Sequence, residues 1–361
     1  MTKKKYSAVL PAVRMLVSDD QVRILTFCAD KDEKALSGEV LNVEEKEDAG
    51  ELIQACKDAL AQWGKGSLEW INFKGWGKVK LSIPENRGRV AGKIAVVTGG
   101  AQGFGGGIVD FLFQEGAYVI IADLNEEKGK EKANLLNQQG RTNRAFFVKA
   151  DVSKADSVSE LIEETVREFG GLDVFISNAG ILKAGGLDEM TPEIFELMTK
   201  VNYTGYFLCA KYASAAMKLQ NSYRKGYYTD IIQINSKSGL KGSNKNFTYA
   251  GGKFGGIGLT ESFALELMPS AIKVNSICPG NFFDGPLWND PNNGLFVQYL
   301  KAGKVPGAKT VADVKSYYEA QVPAGRGCTP LDVVRAIYYV IEQEYETGQA
   351  VPVTGGQNML K

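Results

Sequence analysis

Histidine is absent from all 361 residues. The commonest general acid or base near neutral pH is therefore unavailable, and any proton transfer has to use another residue type. A surplus of positive charge is missing too. The 42 Lys and Arg balance 42 Asp and Glu, which leaves nothing to neutralise a phosphate backbone and argues against nucleic acid as a partner. The five cysteines, Cys28, Cys56, Cys209, Cys278 and Cys328, are odd in number and widely spaced. With no histidine beside them they indicate neither a disulfide framework nor a metal site. No long apolar run is present either: the stretch 6–16 is cut by Pro11 and Arg14, and no small-residue cleavage site follows the basic start at 1–5. These features predict no signal peptide, no membrane contact and a soluble protein of the cytoplasm.

What is present is a pattern of short apolar runs alternating with amphipathic stretches from Lys93 onward, the signature of β-α-β units and a parallel sheet. Strands are expected near 93–98, 117–122, 144–149, 172–177, 230–235, 271–277 and 349–353. Between them lie helical periods such as 155–169, where Val158, Leu161, Ile162, Thr165, Val166 and Phe169 recur at three and four residues. Seven strands with crossovers predict an α/β, doubly wound parallel sheet. Residues 1–88 read differently: a β-like run at 22–28, an amphipathic helix at about 47–63 and β-rich sequence at 67–83, closed by the linker-like Pro84-Glu85-Asn86-Arg87-Gly88. The expectation is a small α/β N-terminal appendage (1–88), serving as an oligomerisation or cover element or as a ligand sensor, followed by the main domain (89–361).

Directly after the first strand of that domain comes Thr98-Gly99-Gly100-Ala101-Gln102-Gly103-Phe104-Gly105, opening an apolar helix. Glycines there tighten the turn and let the backbone approach a pyrophosphate, while the helix N-terminus supplies donors and a positive dipole. Asp123 lies twenty residues beyond Gly103, at the end of the second strand. A carboxylate at that point accepts ribose hydroxyls and repels a 2′-phosphate, so NAD is expected rather than NADP. Asp151-Val152 and Asn178-Ala179-Gly180 fall at the carboxyl ends of the next two strands, where such sheets bind ligands.

The fifth strand ends at Asn235-Ser236, with Tyr249 thirteen residues past the serine and Lys253 four further on. A Tyr and a Lys four apart share one helix face. A free tyrosine has a pKa of ~10, and bringing it to 7 asks for about 4 kcal/mol of phenolate stabilisation. An adjacent ammonium and a cationic nicotinamide ring are groups able to supply it. Ser236 would hold the substrate oxygen, and Asn202 would order a water near Lys253.

On these residues the chain from about Ala91 onward resembles the short-chain dehydrogenase/reductase family. The Thr98 to Gly105 turn, Asn178-Ala179-Gly180 and Ser236 with Tyr249-Ala250-Gly251-Gly252-Lys253 agree with it in order and spacing, and Asn202 and Pro279-Gly280 stand at further positions the family uses. The resemblance implies a seven-stranded Rossmann sheet and a homotetramer or homodimer. It implies that Tyr249 is the acid/base, that Lys253 binds the nicotinamide ribose and tunes Tyr249, that Ser236 orients the reacting carbonyl and that Asn202 supports a proton relay. The cofactor residues it implies are Gly99, Gln102, Gly103, Phe104, Gly105, Asp123, Leu124, Asp151, Val152, Asn178, Ala179, Gly180, Tyr249, Lys253, Pro279 and Gly280.

The runs Ile231-Ile232-Gln233-Ile234-Asn235-Ser236-Lys237-Ser238-Gly239, Lys253-Phe254-Gly255-Gly256, Arg326-Gly327-Cys328 and Val353-Thr354-Gly355-Gly356-Gln357 are similar to the sorbitol-6-phosphate 2-dehydrogenase branch. Residues 1–88 have no counterpart there. The expected activity is NAD-dependent interconversion of a secondary alcohol and a ketone on a polyol or sugar phosphate. The alternatives are a dehydrogenase of unphosphorylated polyols or sugar acids, and a non-catalytic dinucleotide-sensing protein. The segment 281–325 is long for a connection and is expected to be a substrate loop or lid, with Phe282, Phe283 and Trp288 as an apolar wall or as packing, and Arg326 as its brace rather than a substrate contact. Asn281 is a candidate substrate contact, and Lys183 and Lys237 are candidate substrate contacts for a distal phosphate, with Lys241 and Lys245 as weaker ones.

Overall fold

The computed structural model describes residues 6–28, 38–64, 67–85, 87–140 and 143–359. The basic start at 1–5 and Asn86 of the expected linker lie outside the described residues. The chain runs through α1 (Leu10–Leu16), β1 (Ile24–Cys28), β2 (Val40–Val43), α2 (Ala49–Ala61), β3 (Trp70–Phe73) and β4 (Gly77–Ser82) before entering β5 (Ile94–Thr98) and α3 (Gly103–Gln114). There follow β6 (Tyr118–Asp123), α4 (Glu126–Gln139), β7 (Ala145–Lys149), α5 (Ala155–Phe169), β8 (Val174–Ser177), α6 (Pro192–Thr199), a π-helical turn (Lys200–Thr204) and α7 (Gly205–Ser222). The last third holds β9 (Thr229–Ile234), a 3-10 turn (Lys237–Gly239), α8 (Phe247–Leu267), β10 (Ile272–Pro279), α9 (Pro286–Asn289), α10 (Leu295–Lys301), α11 (Val311–Ala320), α12 (Pro330–Glu342) and β11 (Ala350–Val353).

The seven apolar runs read from the sequence form one parallel sheet, ordered β11-β10-β9-β8-β5-β6-β7. Their near-continuous hydrophobicity follows from helices covering both faces. One face buries Ile108, Val109 and Leu112 of α3 with Val333, Val334 and Ile337 of α12; the other buries Val158, Leu161 and Val166 of α5 with Cys209, Ala213 and Met217 of α7. Because β5 is flanked by β6 on one side and β8 on the other, the strand order reverses beside it, and a crevice opens at the carboxyl ends of β5 and β8.

The N-terminal portion forms its own four-stranded sheet, β1-β4-β3-β2, in which β2 and β3 are parallel and the other pairs antiparallel. Its α2 starts on Asp48, whose carboxylate accepts from Glu51 N at 3.0 Å, the capping expected of an Asp at that position. Two elements escape the sequence reading. In α1 nearly every residue is buried, so it has no polar face and no amphipathic period; β2 is only four residues long. The N-terminal core is continuous with that of the dehydrogenase-like portion, since Val9, Leu10 and Val13 share one cluster with α5 and α7.

Polar chemistry fastens the two portions together. Arg14, wholly buried on α1, donates Nη1 and Nη2 to the two carboxylate oxygens of Asp173 at 2.9 and 2.8 Å and Nε to Arg23 O at 2.8 Å. Asp173 also accepts from Ile94 N (2.7 Å), Gln220 Nε2 (2.9 Å) and Tyr227 Oη (2.7 Å). Burial alone would raise its carboxyl, but Arg14 outweighs burial and holds it below the ordinary carboxylate range.

The segment 281–325 is not a bare loop. It folds as α9, α10 and α11 around Phe283, Trp288, Phe296 and Tyr299, with Val314 and Val322 completing the cluster. Trp288 is the centre of it: four aromatic rings lie with centroids 5.0 to 5.7 Å from its own, so Phe283 and Trp288 pack as the core of this small helical unit, while Trp288, with Phe282, also lines the crevice. Arg326 braces its far end, donating to both carboxylate oxygens of Asp332 at 2.6 and 2.9 Å at the start of α12.

Breaking the buried pair is strongly destabilising, because one charge is left in the interior without its partner. Arg14→Met should lower the unfolding free energy by about 3–5 kcal/mol, measured by urea denaturation, and the double change Arg14→Met with Asp173→Asn should cost less than the single one. The Asp173 carboxyl is depressed in the folded state, so its contribution is complete above the unfolded carboxylate pKa of about 3.9 and drains away as pH falls below it. A wild-type stability profile below pH 4 that Arg14→Met leaves unchanged in shape would contradict this assignment.

Candidate active site

The crevice is a cavity of about 850 Å³, at the large end of the range for ligand sites. Its first wall is the turn after β5. Gly99 and Gly103 both have φ near +64° and +63°, the left-handed conformation that glycine adopts without steric cost. Gly105 is needed for a different reason: a Cβ there would run into Gly99 O and the Asn178 side chain. It lies beneath the turn and outside the cavity lining, letting α3 sit close to the strand, while Gly99, Gln102, Gly103 and Phe104 form the surface itself.

At one end of the cavity stand Asp123 and Leu124. Asp123 accepts from Ala101 N at 3.0 Å and Asn125 N at 2.9 Å, which ties the end of β6 to the glycine turn and orients the carboxylate. Lys128 also lines this end and donates Nζ to Gln102 Oε1 at 2.9 Å; the sequence reading missed it because it lies one turn into α4. Asp151 and Val152 follow from the end of β7. Asp151 accepts from Ser153 N and Oγ at 3.0 and 2.6 Å, and burial, which would raise its pKa, is outweighed by these bonds and by Lys154 so that it is lowered.

In the middle, β5 and β8 end side by side. Thr98 Oγ1 accepts from Asn178 N and Ala179 N, each at 3.0 Å, and Asn178 Nδ2 donates to Thr98 O at 2.8 Å. Asn178, Ala179 and Gly180 all line the cavity. Asn202 sits in the π-helical turn between α6 and α7, a local distortion common at functional positions. Its side chain is bonded at both ends: Oδ1 accepts from Ile181 N at 2.9 Å and Nδ2 donates to Ile181 O at 2.8 Å. Both ends of the amide thus grip the loop after β8.

At the other end are Ser236, Tyr249 and Lys253, all lining the cavity. The 3-10 turn holds Ser236, whose Oγ accepts from Ser238 N at 3.1 Å, and Asn235 Nδ2 donates to Lys253 O at 2.9 Å, fixing the turn against α8. Lys253 Nζ donates to Ile234 O at 2.8 Å and lies 5.5 Å from the centroid of the Tyr249 ring. Burial dominates the electrostatics of both. It pushes the Tyr249 phenol up to about 12, against a hydrogen bond with Ser236 that pulls the other way, and draws the Lys253 ammonium down to about 8. In both groups desolvation is the largest effect.

The remaining surface comes from Pro279, Gly280 and Asn281 after β10 and from the helical unit. Asn281 Nδ2 is buried with no partner among the described residues. Phe282 stacks on Phe104 with centroids 4.9 Å apart, joining the helical unit to the glycine turn. Lys237 lines the cavity; Lys183 is exposed outside it, Lys241 is exposed, and Lys245 pairs with Glu189 at 3.4 Å. Tyr299 and Lys304 also line it and were not read from the sequence, since only the folding of α10 brings them there.

The cavity has the donor set of a dinucleotide site: a carboxylate at one end, backbone amides and a helix N-terminus in the middle, and a Tyr-Lys pair at the other. Among the described residues no group of His, Cys, Asp and Glu is arranged to hold a metal ion, and no helix is long and apolar enough to cross a membrane.

Comparison with known proteins agrees with this geometry. The short chain dehydrogenase family model matches residues 93–290. Sorbitol-6-phosphate 2-dehydrogenase of Escherichia coli (strain K12) is 36% identical over 271 residues, 74% of this chain and 99% of that protein. A 3-alpha-(or 20-beta)-hydroxysteroid dehydrogenase of Mycobacterium bovis is 33% identical over 74% of this chain and 90% of its own length. Among solved structures, sorbitol-6-phosphate 2-dehydrogenase from Erwinia amylovora superposes with a TM-score of 0.67 at 37% identity, covering 74% of this chain and 100% of that one. With the fold, the cavity and these relatives in agreement, the chain belongs to the short-chain dehydrogenase family and is an oxidoreductase acting on CH-OH groups.

Proposed function

We propose that this protein is an NAD-dependent dehydrogenase that interconverts a secondary alcohol and a ketone on a phosphorylated polyol of the sorbitol 6-phosphate kind. The observation that carries the reading is the placement of Ser236, Tyr249 and Lys253 at one end of a single cavity and Asp123 at the other. The polyol phosphate follows from the two sorbitol-6-phosphate 2-dehydrogenase relatives, each matched along almost its full length.

When bound, NAD supplies the hydride acceptor and, in its oxidised form, a positively charged ring. Tyr249 takes the hydroxyl proton of the alcohol at its phenolate oxygen in the oxidative direction and returns it to the carbonyl oxygen in the other. Ser236 Oγ, beside Tyr249, holds the same substrate oxygen. Lys253 keeps a cation in a buried position where a phenolate would be stabilised, and its bond to Ile234 O holds the ammonium at the strand end, from which it would also bind the ribose of NAD. Asp123 receives the ribose hydroxyls at the far end and opposes a 2′-phosphate. Self-association belongs to the same proposal, as homodimer or homotetramer. Exposed large apolar side chains, Phe195, Tyr203, Phe207, Phe254 and Leu265, gather on α6, the π-helical turn, α7 and α8, more than isolated surface hydrophobics require.

The reading is tested by following reduction of NAD and NADP with a panel of polyols, with and without a 6-phosphate. Preference for an unphosphorylated polyol or a sugar acid would move the substrate assignment to that class. Tyr249→Phe should lower kcat by about 10²- to 10⁴-fold while NAD still titrates the protein's fluorescence; substantial residual turnover would remove Tyr249 from the acid/base role. Asp123→Ala should weaken NAD by about 1.5–3 kcal/mol, the loss expected for hydrogen bonds to a charged acceptor, and narrow the NAD to NADP ratio of kcat/KM. An unchanged ratio would place the ribose elsewhere.

A further inference from the structure

Two lysines from separate segments, Lys237 and Lys304, line the cavity. Lys237 follows Ser236 in the 3-10 turn, and Asn358 Nδ2 donates to its carbonyl at 3.2 Å, pinning that turn to the C-terminal segment. Lys304 arrives from the helical unit. There α10 ends on Gly303, in the left-handed region at φ 58°, with Gly303 N donating to Leu300 O at 3.1 Å and Lys304 N to Tyr299 O at 3.0 Å. This paired closure turns the chain back over the last helical turn. The reversal brings Lys304 Nζ to 4.0 Å from the centroid of the Tyr299 ring, and Tyr299, Lys304 and Lys237 all line the cavity.

Among the described residues neither ammonium is paired with a carboxylate, whereas Lys245 and Lys315 nearby have Glu189 and Asp284. The acidic residues on the cavity wall are otherwise engaged. Asp123 and Asp151 serve the β6 and β7 ends, and Asp290 accepts from Asn292 N and Asn293 N. Burial draws Lys237 down to about 8, with Lys304 and Lys241 pushing the same way. Burial also lowers Lys304, with Lys245 adding to it. Two half-buried like charges facing one space are costly unless an anion joins them. A phosphate monoester, with nearly two negative charges and three acceptor oxygens, balances both; a carboxylate brings one charge.

We propose that Lys237 and Lys304 form the subsite that binds the phosphate monoester of the substrate, an assignment that rests on the sugar-phosphate reading above. Lys304 is the sharper probe, since it stands in a different segment from the Ser236, Tyr249 and Lys253 group. The cation over Tyr299 and the helix end that aims it make Lys304 a specificity residue delivered by the helical unit, and Lys237 its counterpart from the sheet.

The experiment compares wild type, Lys304→Met, Lys304→Arg and Lys237→Met on sorbitol 6-phosphate, sorbitol and gluconate with NAD. Lys304→Met should lower the ratio of kcat/KM for sorbitol 6-phosphate over sorbitol by about ten- to hundredfold, mainly through KM, as expected for loss of a charge-assisted bond, and Lys304→Arg should restore most of it. Equal losses on the two polyols overturn the subsite, and a loss specific to gluconate reassigns it to a carboxylate and overturns the phosphate claim. A second readout needs no turnover: inorganic phosphate should raise the melting temperature of the wild-type NAD complex and fail to raise that of Lys304→Met. Should wild type oxidise no phosphorylated polyol, the sugar-phosphate reading falls. The subsite is then judged by this thermal shift alone, upheld if the shift depends on Lys304 and overturned if it does not.

Discussion

The Asp173 carboxylate is the point on which this structure turns. It is completely buried and receives five hydrogen bonds, from both nitrogens of the Arg14 fork, from the first amide of β5, from Gln220 on α7 and from Tyr227 just before β9. A buried charge is tolerable only when it is paired and its lone pairs are filled, so these elements can be brought together in one way. Because each strand residue advances about 3.3 Å, fixing where β5 and β8 begin also fixes where they end. That is how Thr98 and Ser177 finish level with one another and Thr98 Oγ1 reaches the amides of Asn178 and Ala179. The Asp173 junction thus ties the starts of β5 and β8 to each other and to α1 of the N-terminal portion.

At the cavity itself the governing constraint is desolvation. Tyr249, Lys253 and Lys237 are all driven toward their neutral forms by burial. In each case burial is the largest cause; Ser236 opposes it at Tyr249 and Cys278 opposes it at Lys253, while at Lys237 the neighbouring Lys304 and Lys241 push the same way.

The sheet was legible because strands buried on both faces are predominantly apolar, a character that β5, β6 and β8 show most fully and that β9 and β10 keep despite buried polar residues such as Gln233 and Asn275; α5 was legible to the residue because its buried positions keep a strict helical period. That the glycine turn, Asp123, Asn178, Ser236, Tyr249 and Lys253 meet at one cavity was legible because they stand at strand ends or at fixed offsets from them. The rest depended on tertiary structure. The buried helix α1 has no period to read, and its single arginine looked like an interruption of an apolar stretch when it is the partner of Asp173. The helices in 281–325 are short, and their aromatics carry no sequence mark that separates a core from a wall. Asn202 was found by its position, but its clamp on Ile181 is visible only once the π-helical turn is formed.

The helical unit formed by α9, α10 and α11 has an aromatic core of its own and meets the Gly99 to Gly105 turn through the stack of Phe282 on Phe104. Residues that shape the substrate end therefore rest on an interior separate from the two clusters that hold the sheet. The stretch of cavity wall that holds Trp288, Leu295 and Tyr299 is thus carried by a core distinct from those on the two faces of the sheet.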